Sequence, residues 1–276
     1  MGIRLKVERV IILSVLILVA FISTVPFLWV AVSSLKTNME IFLQPLGLPS
    51  ELLWRNFTKA WIVGRFGIYL MNSAIVGVFN VAAVISLSTL AGYGLARLTF
   101  RLKNTIFAAF TLGLTVPTQA IIIPVYYNLR ALGLVNTYLG LILVETAIAL
   151  PYSILLMRAF FISAPAELGE AARIDGCSEC GVFWHIFLPL AIPAMLALTI
   201  LQFMSSWKSF ILPLVTLYSD EMRTIPLGLM FYSSKAGTNF NLLAAGAMIA
   251  AIPVILIYVI CNRYFVEGLT VGSIKG

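Results

Sequence analysis

Long apolar windows dominate this chain, and short charged stretches separate them. The chain has 18 basic and 11 acidic residues, yet six windows of 26 to 31 residues contain only one of them, Glu145. A helix needs about 20 mostly apolar residues to cross a hydrocarbon core of about 30 Å. The pattern therefore predicts six membrane-spanning helices, at 10–32, 68–96, 104–128, 138–160, 190–212 and 242–262.

Composition and window length together indicate an all-α polytopic membrane protein. Hydrophobic residues make up 61% of the chain and charged residues 11%, against about 45–50% and about 25% in soluble domains. Backbone amides inside a bilayer must be satisfied within their own segment, which favours helices. Barrel strands are about 10 residues long and alternate polar with apolar side chains, unlike these windows. We exclude a soluble enzyme and an outer-membrane barrel.

The distribution of basic residues predicts the orientation. Three basic residues and Glu8 precede the first predicted span, and the short 97–103 loop carries three basic residues and no acidic one. Basic residues close to span ends favour the cytoplasmic side. Six spans place both termini on that side. The net charge of +7 reflects this bias, because no polar stretch is long enough for a nucleic-acid-binding domain.

The most informative cytoplasmic segment is the 161–189 loop. Ser163 is suited to cap a helix, residues 166–175 favour helix, and Gly176 is placed to end it. An amphipathic stretch follows, and Pro189 is expected to open the fifth span. The pattern predicts a short helix along the membrane surface. From the residues alone, this helix could dock onto another protein or simply lie on lipid.

The same loop resembles the signature of one transporter family. The spacing is E-A-A, three residues, G, nine residues, I-x-L-P, and it is formed by Glu170, Ala171, Ala172, Gly176, Ile186, Leu188 and Pro189. This is similar to the EAA loop of ABC importer permeases. The chain further resembles the carbohydrate branch of this family, and its maltose permease G-type members in particular, at 92–98, 117–124, 134–141, 226–229 and 265–276. One departure is Lys208-Ser209, where that branch usually has Asn-Asp.

The resemblance implies a single permease domain over 1–276 with the type I importer fold, in the cytoplasmic (inner) membrane. It implies that the 166–176 helix is a coupling helix that sits in a cleft of a separate ATPase. Glu170 would face polar or basic groups there, the two alanines would permit close approach, and Gly176 would permit the turn. The implied ATPase-coupling residues are Glu170, Ala171, Ala172, Asp175, Gly176, Ile186, Leu188 and Pro189.

The resemblance also implies partners and a cargo. The partners would be a second permease subunit, two ATP-binding subunits, and an extracytoplasmic solute-binding protein. The cargo would be a sugar or oligosaccharide. A non-sugar solute such as glycerol phosphate is an alternative within the same class. The chain contains no G-x-x-x-x-G-K-[ST] motif, so ATP and Mg²⁺ are expected on a partner and no cofactor on this chain.

Candidate residues of the substrate pathway are Glu145, Tyr152, Gln119 and Trp207. An acidic residue inside a span is costly and is often functional, although Glu145 could also lie close enough to the outer surface to reach water. The aromatic residues could stack on sugar rings or belong to the interfacial belt. Glu145 would also be the ion site of an ATP-independent carrier, which is the alternative from a different class.

Other chemistry has weaker support in the sequence. Cys177 and Cys180 form a C-x-x-C, which could be a redox or zinc element. Since a structural zinc site needs four ligands and only His185 is a nearby third candidate, we interpret the pair as plain cytoplasmic thiols. A membrane enzyme would need a nucleophile–base pair, and the sequence offers none.

Overall fold

The computed structural model describes the backbone of residues 2–235 and 239–270, and the side chains of 8–230 and 239–259. The described residues form helices and no strand, as the apolar windows predict. The first seven helices are α1 (Gly2–Ser33), α2 (Asn38–Leu43), α3 (Arg55–Ile62), α4 (Phe66–Arg97), α5 (Lys103–Gly113), α6 (Thr118–Ala131) and α7 (Tyr138–Ser163). The remaining six are α8 (Ala166–Ile174), α9 (Glu179–Val182), α10 (Leu188–Trp207), α11 (Ile211–Thr216), α12 (Ile225–Lys235) and α13 (Phe240–Thr270).

Five helical segments are long and apolar enough to cross a membrane. They are Glu8–Ser33, Phe66–Arg97, Tyr138–Ser163, Glu179–Trp207 and Phe240–Val259. The predicted sixth span ends at 262, so its last side chains lie outside the described residues. Each of the five overlaps a predicted window, and the described part of the chain is an all-α membrane protein.

The third predicted span is not one continuous helix. It is divided into α5 and α6, which are bent by 103° and together pass the same length and composition test as one broken span. The break contains Pro117, whose backbone is extended. Proline has no amide hydrogen and disfavours helix at the residue before it, which explains the break. Pro124 and Pro151 lie inside helices without ending them.

The fifth span begins earlier than predicted. A helical run continues from Glu179 through a π-helical turn at Phe183–Phe187 into α10. Pro189 is the second residue of α10 and lies inside this run. A proline in the first turn of a helix lacks an amide donor, but an amide at that position would have no partner within the helix. Here the π turn precedes Pro189. Pro189 therefore lies in the first turn of α10, as expected, but the apolar helical run begins earlier, at Glu179, and α10 ends at Trp207 rather than 212.

The chain folds as two compact units, Met1–Gly67 with Gly228–Ile252, and Ile68–Leu227 with Pro253–Gly276. In the first unit, α1 buries none of its apolar window against the chain. The Lys36 ammonium is fully buried and donates to the Gln44 carbonyl at 2.9 Å. The Asn56 amide donates to the carbonyls of Ser34 and Lys36, both at 2.9 Å. These bonds hold the segment after α1.

In the second unit, the entry to α7 is fixed by one residue. Asn136 has a φ of +60°, in the left-handed region that asparagine tolerates better than most residues. Its amide donates to the Thr216 carbonyl at 2.7 Å. Its side-chain oxygen accepts bonds from the amides of Tyr218 and Ser219 at 3.1 and 3.0 Å. The beginning of α7 and the end of α11 are thereby joined.

Candidate functional site

The loop between α7 and α10 contains a short helix, one face of which is exposed on the surface of the chain. Helix α8 has nine residues, and Glu167, Glu170, Ala171 and Ile174 are exposed. Residues three and four apart lie on one helical face, so these side chains form a continuous surface, called the docking face below. Ile174 is 86% exposed, which leaves a large apolar side chain uncovered by this chain.

The end of α8 is a Schellman motif. Gly176 has a φ of +86°, its amide donates to the Arg173 carbonyl at 3.1 Å, and the Cys177 amide donates to the Ala172 carbonyl at 2.9 Å. These are the two bonds that define the motif, in which glycine is preferred because it has no Cβ. The predicted glycine stop is observed at Gly176.

The beginning of α8 differs from the prediction. Pro165 occupies the N-cap and no side chain caps the helix. Ser163 is the last residue of α7, and its hydroxyl donates back to the Phe160 carbonyl at 2.8 Å. Serine often bonds to a carbonyl in the preceding turn, and here that bond replaces the predicted cap.

An ion pair spans the glycine turn. The Arg173 guanidinium donates to both carboxylate oxygens of Glu179, at 2.6 and 3.2 Å. These bonds raise the pKa of Arg173 above its usual value. Both side chains are substantially exposed, and such pairs contribute about 0–1 kcal/mol. The pair therefore orients the turn more than it stabilises the fold.

A buried aromatic cluster lies under α8. Gly169 lies against the Phe187 ring, and a Cβ at this position would be 3.0 Å from the ring. The rings of Tyr93 and Phe187 have centroids 5.6 Å apart, and Phe161 and Phe183 complete the cluster around Tyr93. The inner face of α8 is thus packed on the π turn, and Ala172 shares one buried cluster with side chains of α4 and α7.

Arg97 joins the end of α4 to the same loop. Its guanidinium donates to the Ala164 carbonyl and lies 4.7 Å from the centre of the Phe187 ring. Arg158 of α7 donates to the Leu95 carbonyl at 3.2 Å. These contacts connect the α7–α8 junction and the π turn to the ends of two candidate membrane spans, α4 and α7.

The residues of the predicted coupling set fall into two groups. Glu170, Ala171, Asp175 and Gly176 are exposed. Ala172 is only 7% exposed and belongs to the buried cluster, with Ile186 and Leu188 packed partly buried against it, so Ala171 is the alanine available to a partner. Pro189 is exposed on α10. The expected close approach through Ala172 does not fit this packing, because a helix of this length buries one face.

A second feature is a polar cavity inside the second unit. Its volume is about 250 Å³. Helix α7 contributes Glu145 and Tyr152, α4 contributes Asn80, and α10 contributes Gln202. Three serines, at 205, 206 and 209, line the same space. Polar side chains within membrane helices usually face the protein interior or a water-filled cavity, and this arrangement is of that kind.

Glu145 is the acidic member of the cavity lining. The residue is 7% exposed, and the Ser206 hydroxyl donates to its Oε2 at 2.6 Å. Within the described side chains, its Oε1 has no hydrogen-bond partner. Gln202 donates to the Ser153 hydroxyl at 3.1 Å and Asn80 to the Thr146 hydroxyl at 3.2 Å. The structure shows Glu145 buried within the chain.

Two predicted pathway residues lie elsewhere. Among the described residues, the cavity lining includes Glu145 and Tyr152 but neither Gln119 nor Trp207. Gln119 is exposed on α6. Trp207 is buried and its ring stacks on Phe203, with centroids 5.3 Å apart. A pathway role for these two remains a prediction.

Sequence reasoning missed several residues of both features. The missed residues are Gly169, Arg173, Glu179 and Phe187 in the loop, and Asn80, Gln202 and the three serines in the cavity. The serines and Gln202 recur at about helical spacing near the end of one apolar window, a signal that could have identified one face of α10. No local pattern pairs Asn80 with that face, because α4 and α10 are far apart in sequence.

The thiol pair carries no metal site in the part of the chain that is described. Cys177 and Cys180 are free and exposed, and the His185 Nδ1 lies 3.0 Å from the Gly181 carbonyl oxygen. No group of three or more His, Cys, Asp or Glu side chains converges there. Cys261 lies outside the described side chains.

Comparison with known proteins relates the chain to importer permeases. The profile of a family described as binding-protein-dependent transport system inner membrane component matches residues 85–269. An arabinooligosaccharides transport system permease protein of Halalkalibacterium halodurans is 35% identical over 262 residues, covering 94% of this chain and 93% of the relative. A sulfoquinovosyl glycerol transport system permease protein of Agrobacterium fabrum is 32% identical, covering 91% of this chain and 88% of the relative.

A solved structure shares the fold. It is a bacterial ABC transporter involved in the import of the acidic polysaccharide alginate. One of its chains superimposes with a TM-score of 0.80 and 21% identity, covering 94% of this chain and 97% of that one. The likeness supports the importer permease fold.

Proposed function

Because the chain belongs to the binding-protein-dependent transport system inner membrane component family, we propose that it forms one half of the translocation pore of a sugar importer. The cargo is a sugar, an oligosaccharide or a glycoside. The observation that carries the proposal is the docking face of α8, held on the aromatic cluster and closed by the Gly176 turn. The names of the relatives, which refer to sugar-containing cargoes, favour this cargo class.

The docking face supports coupling to a separate ATPase. It combines the carboxylates of Glu167 and Glu170 with the exposed Ile174, which suits a cleft with basic and apolar groups. The buried side of α8 contacts α4 and α7 through the cluster. When two ATPase subunits close on ATP, they would move the docking faces and thereby the spans. This is rigid-body switching between two states, biased by a ligand that prefers one of them.

The assembly that follows has three kinds of partner besides lipid. A second permease completes the pore, two ATP-binding subunits hold ATP and Mg²⁺, and an extracytoplasmic protein delivers the cargo. The chain itself is a transport subunit that binds no cofactor. It lies in the cytoplasmic membrane with both termini inside, because the two short basic segments are placed inside by the positive-inside rule.

Charge reversal on the docking face tests this function. We expect Glu170→Lys to abolish uptake of cargo by the assembled importer, because a positive charge would meet the basic groups of the ATPase cleft. The measurement is uptake of labelled cargo, with co-purification of the ATPase from the same membranes. Glu8→Lys is the matched control, since Glu8 is also exposed and lies on the same side of the membrane.

The two variants separate coupling from insertion. The control variant is expected to transport at the level of the unmodified chain, and both variants are expected in the membrane in equal amounts. Normal uptake by Glu170→Lys would refute the coupling role of this face. Equal loss of uptake in both variants would indicate that the added positive charge, and not a loss of docking, causes the defect.

A further inference from the structure

We propose that the polar cavity between α7 and α10 is a subsite for one uncharged sugar ring, whose hydroxyls donate to Glu145. The inference rests on the importer function proposed above and deepens it by giving the chemistry of the cargo. It applies to this half of the pore.

The size of the cavity limits what it can hold. Whole small-molecule sites are usually about 300–1,000 Å³, and this cavity is about 250 Å³. It therefore takes part of a larger ligand. Tyr152 is 46% exposed at the edge of the cavity, where its ring can cover the apolar face of a sugar while its polar end remains hydrated. The rest of an oligosaccharide would extend toward the partner permease.

The unpaired oxygen of Glu145 indicates a hydrogen-bond donor in the ligand. Oε2 already accepts from Ser206. Oε1 has no well-aligned hydrogen-bond partner among the described residues, although the Ser209 hydroxyl lies close to the same carboxyl group. A buried polar atom without a hydrogen-bond partner is costly. A sugar hydroxyl supplies the missing donor.

The surrounding amides are already oriented. Asn80 and Gln202 each donate to a hydroxyl, of Thr146 and Ser153, and these bonds fix the planes of both side chains. A site whose polar groups are held before the ligand arrives loses less entropy on binding. The cavity is therefore preorganised for several hydrogen bonds in one small volume.

The charge of the lining disfavours anionic cargo. The described lining residues include one carboxyl group and no Lys, Arg or His. An anionic group placed there would be within a membrane-embedded cavity without a cation to pair with it, and an unpaired charge in that environment is costly. An uncharged polyhydroxyl compound needs only hydrogen bonds. This distinguishes the chain from a permease whose cargo is an acidic polysaccharide.

Protection of a cysteine in the cavity tests the subsite. Ser205 is exposed and lines the cavity, so Ser205→Cys is introduced after the native cysteines 177, 180 and 261 are replaced by serine. The purified importer complex is labelled with a maleimide, with and without ATP trapping. Arabinotriose, maltotriose and diacetylchitobiose are the uncharged probes, and an alginate trisaccharide is the acidic probe.

We expect at least one uncharged probe to protect Ser205→Cys from maleimide labelling, either with or without ATP trapping. The acidic probe should need at least tenfold higher concentration for the same protection. Adding Glu145→Gln should weaken protection by the uncharged probe about tenfold and narrow the difference between the probes. Ser206→Ala is a second variant that keeps the carboxylate. Ser206→Ala should weaken protection less than Glu145→Gln does, because the sugar hydroxyls can still donate to the Glu145 side chain.

Controls separate this inference from the importer function. Tyr218 is 72% exposed and lies outside the described cavity lining. Labelling of Tyr218→Cys should therefore not respond to sugar, and it reports correct folding. Failure of all three uncharged probes, or equal protection by the acidic probe, would overturn the subsite while co-purified ATPase still supports the importer function. Absence of any ATPase from the complex would overturn both.

Discussion

The turn after α8 allows the coupling mechanism to be tested through the backbone alone. Gly176 has a φ of +86°, and a Cβ added there would meet nothing within 4 Å. Gly176→Ala therefore changes backbone preference without creating a clash. The left-handed conformation costs a residue with a Cβ about 1–2 kcal/mol, so the Schellman bonds of the turn should open about 5–30 times more often.

A graded series makes the magnitude measurable. Gly176→Asn should cost less than Gly176→Ala, because asparagine tolerates the left-handed region. Gly176→Val should cost more, because β-branched residues are rare there. The assay is hydrogen exchange of the 166–177 segment in the assembled importer, together with cargo uptake. Exchange should accelerate, and uptake should fall, in the order Asn, Ala, Val.

A matched control lies at the other end of the same unit. Gly133 has a φ of +67° with open space around its Cβ position, and its turn has the same two bonds, to the carbonyls of Arg130 and Leu129. Gly133→Ala should open its own turn to a similar extent and leave uptake intact. The reasoning would be refuted if Gly176→Ala exchanged like the unmodified protein, or if Gly133→Ala reduced uptake equally.

Three further predictions follow from particular side chains. Phe187→Ala removes the ring on which Gly169 packs and should destabilise the loop by about 3–5 kcal/mol, measured as a lower unfolding temperature with loss of uptake. Hydrogen bonds from Ser50 and Thr37 lower the pKa of Glu40 to about 2; this stabilisation is complete above the unfolded pKa of 4.5 and is lost as the pH falls toward 2. The protection factors of the α2 amides, which are corrected for the pH dependence of intrinsic exchange, should therefore fall in that acidic range, and Glu40→Gln should remove most of this fall. Asn136→Ala should loosen the outer loop, seen as faster exchange of the 218–219 amides.

The sequence predicted features that depend on local chemistry. The apolar windows identified the spans because a bilayer imposes length and composition on each helix separately. The Gly176 stop was predictable because few residues other than glycine adopt its conformation. The E-A-A motif identified the family because all of its residues lie within one short segment of the sequence.

The features that the sequence did not predict depend on neighbours distant in the chain. Ala172 and Ala171 are identical in sequence, and only the cluster around Tyr93 decides which of them is buried. Phe183 and Phe187 of the π turn belong to the buried cluster, and local periodicity does not reveal that packing. The cavity joins Asn80 to Glu145 and Ser206, three positions on separate helices.

Proline alone does not locate the break in the third span. Prolines 117, 124 and 151 all lie within predicted spans, yet of these three only Pro117 lies at a break between helices. Thr115 donates its hydroxyl to the Leu112 carbonyl at 2.8 Å, which occupies a carbonyl at the end of α5. Pro117 follows the end of α5 and is the N-cap of α6, whereas Pro124 and Pro151 have helix on both sides.

Gentle extraction of the tagged chain from its native membrane, followed by identification of what co-purifies, tests the central claim most directly. The account predicts stoichiometric recovery of an ATPase together with a second polytopic permease, and loss of the ATPase in Glu170→Lys while the permease pair remains. Recovery of this chain without any ATPase would contradict the importer function and would favour an ATP-independent carrier that uses Glu145.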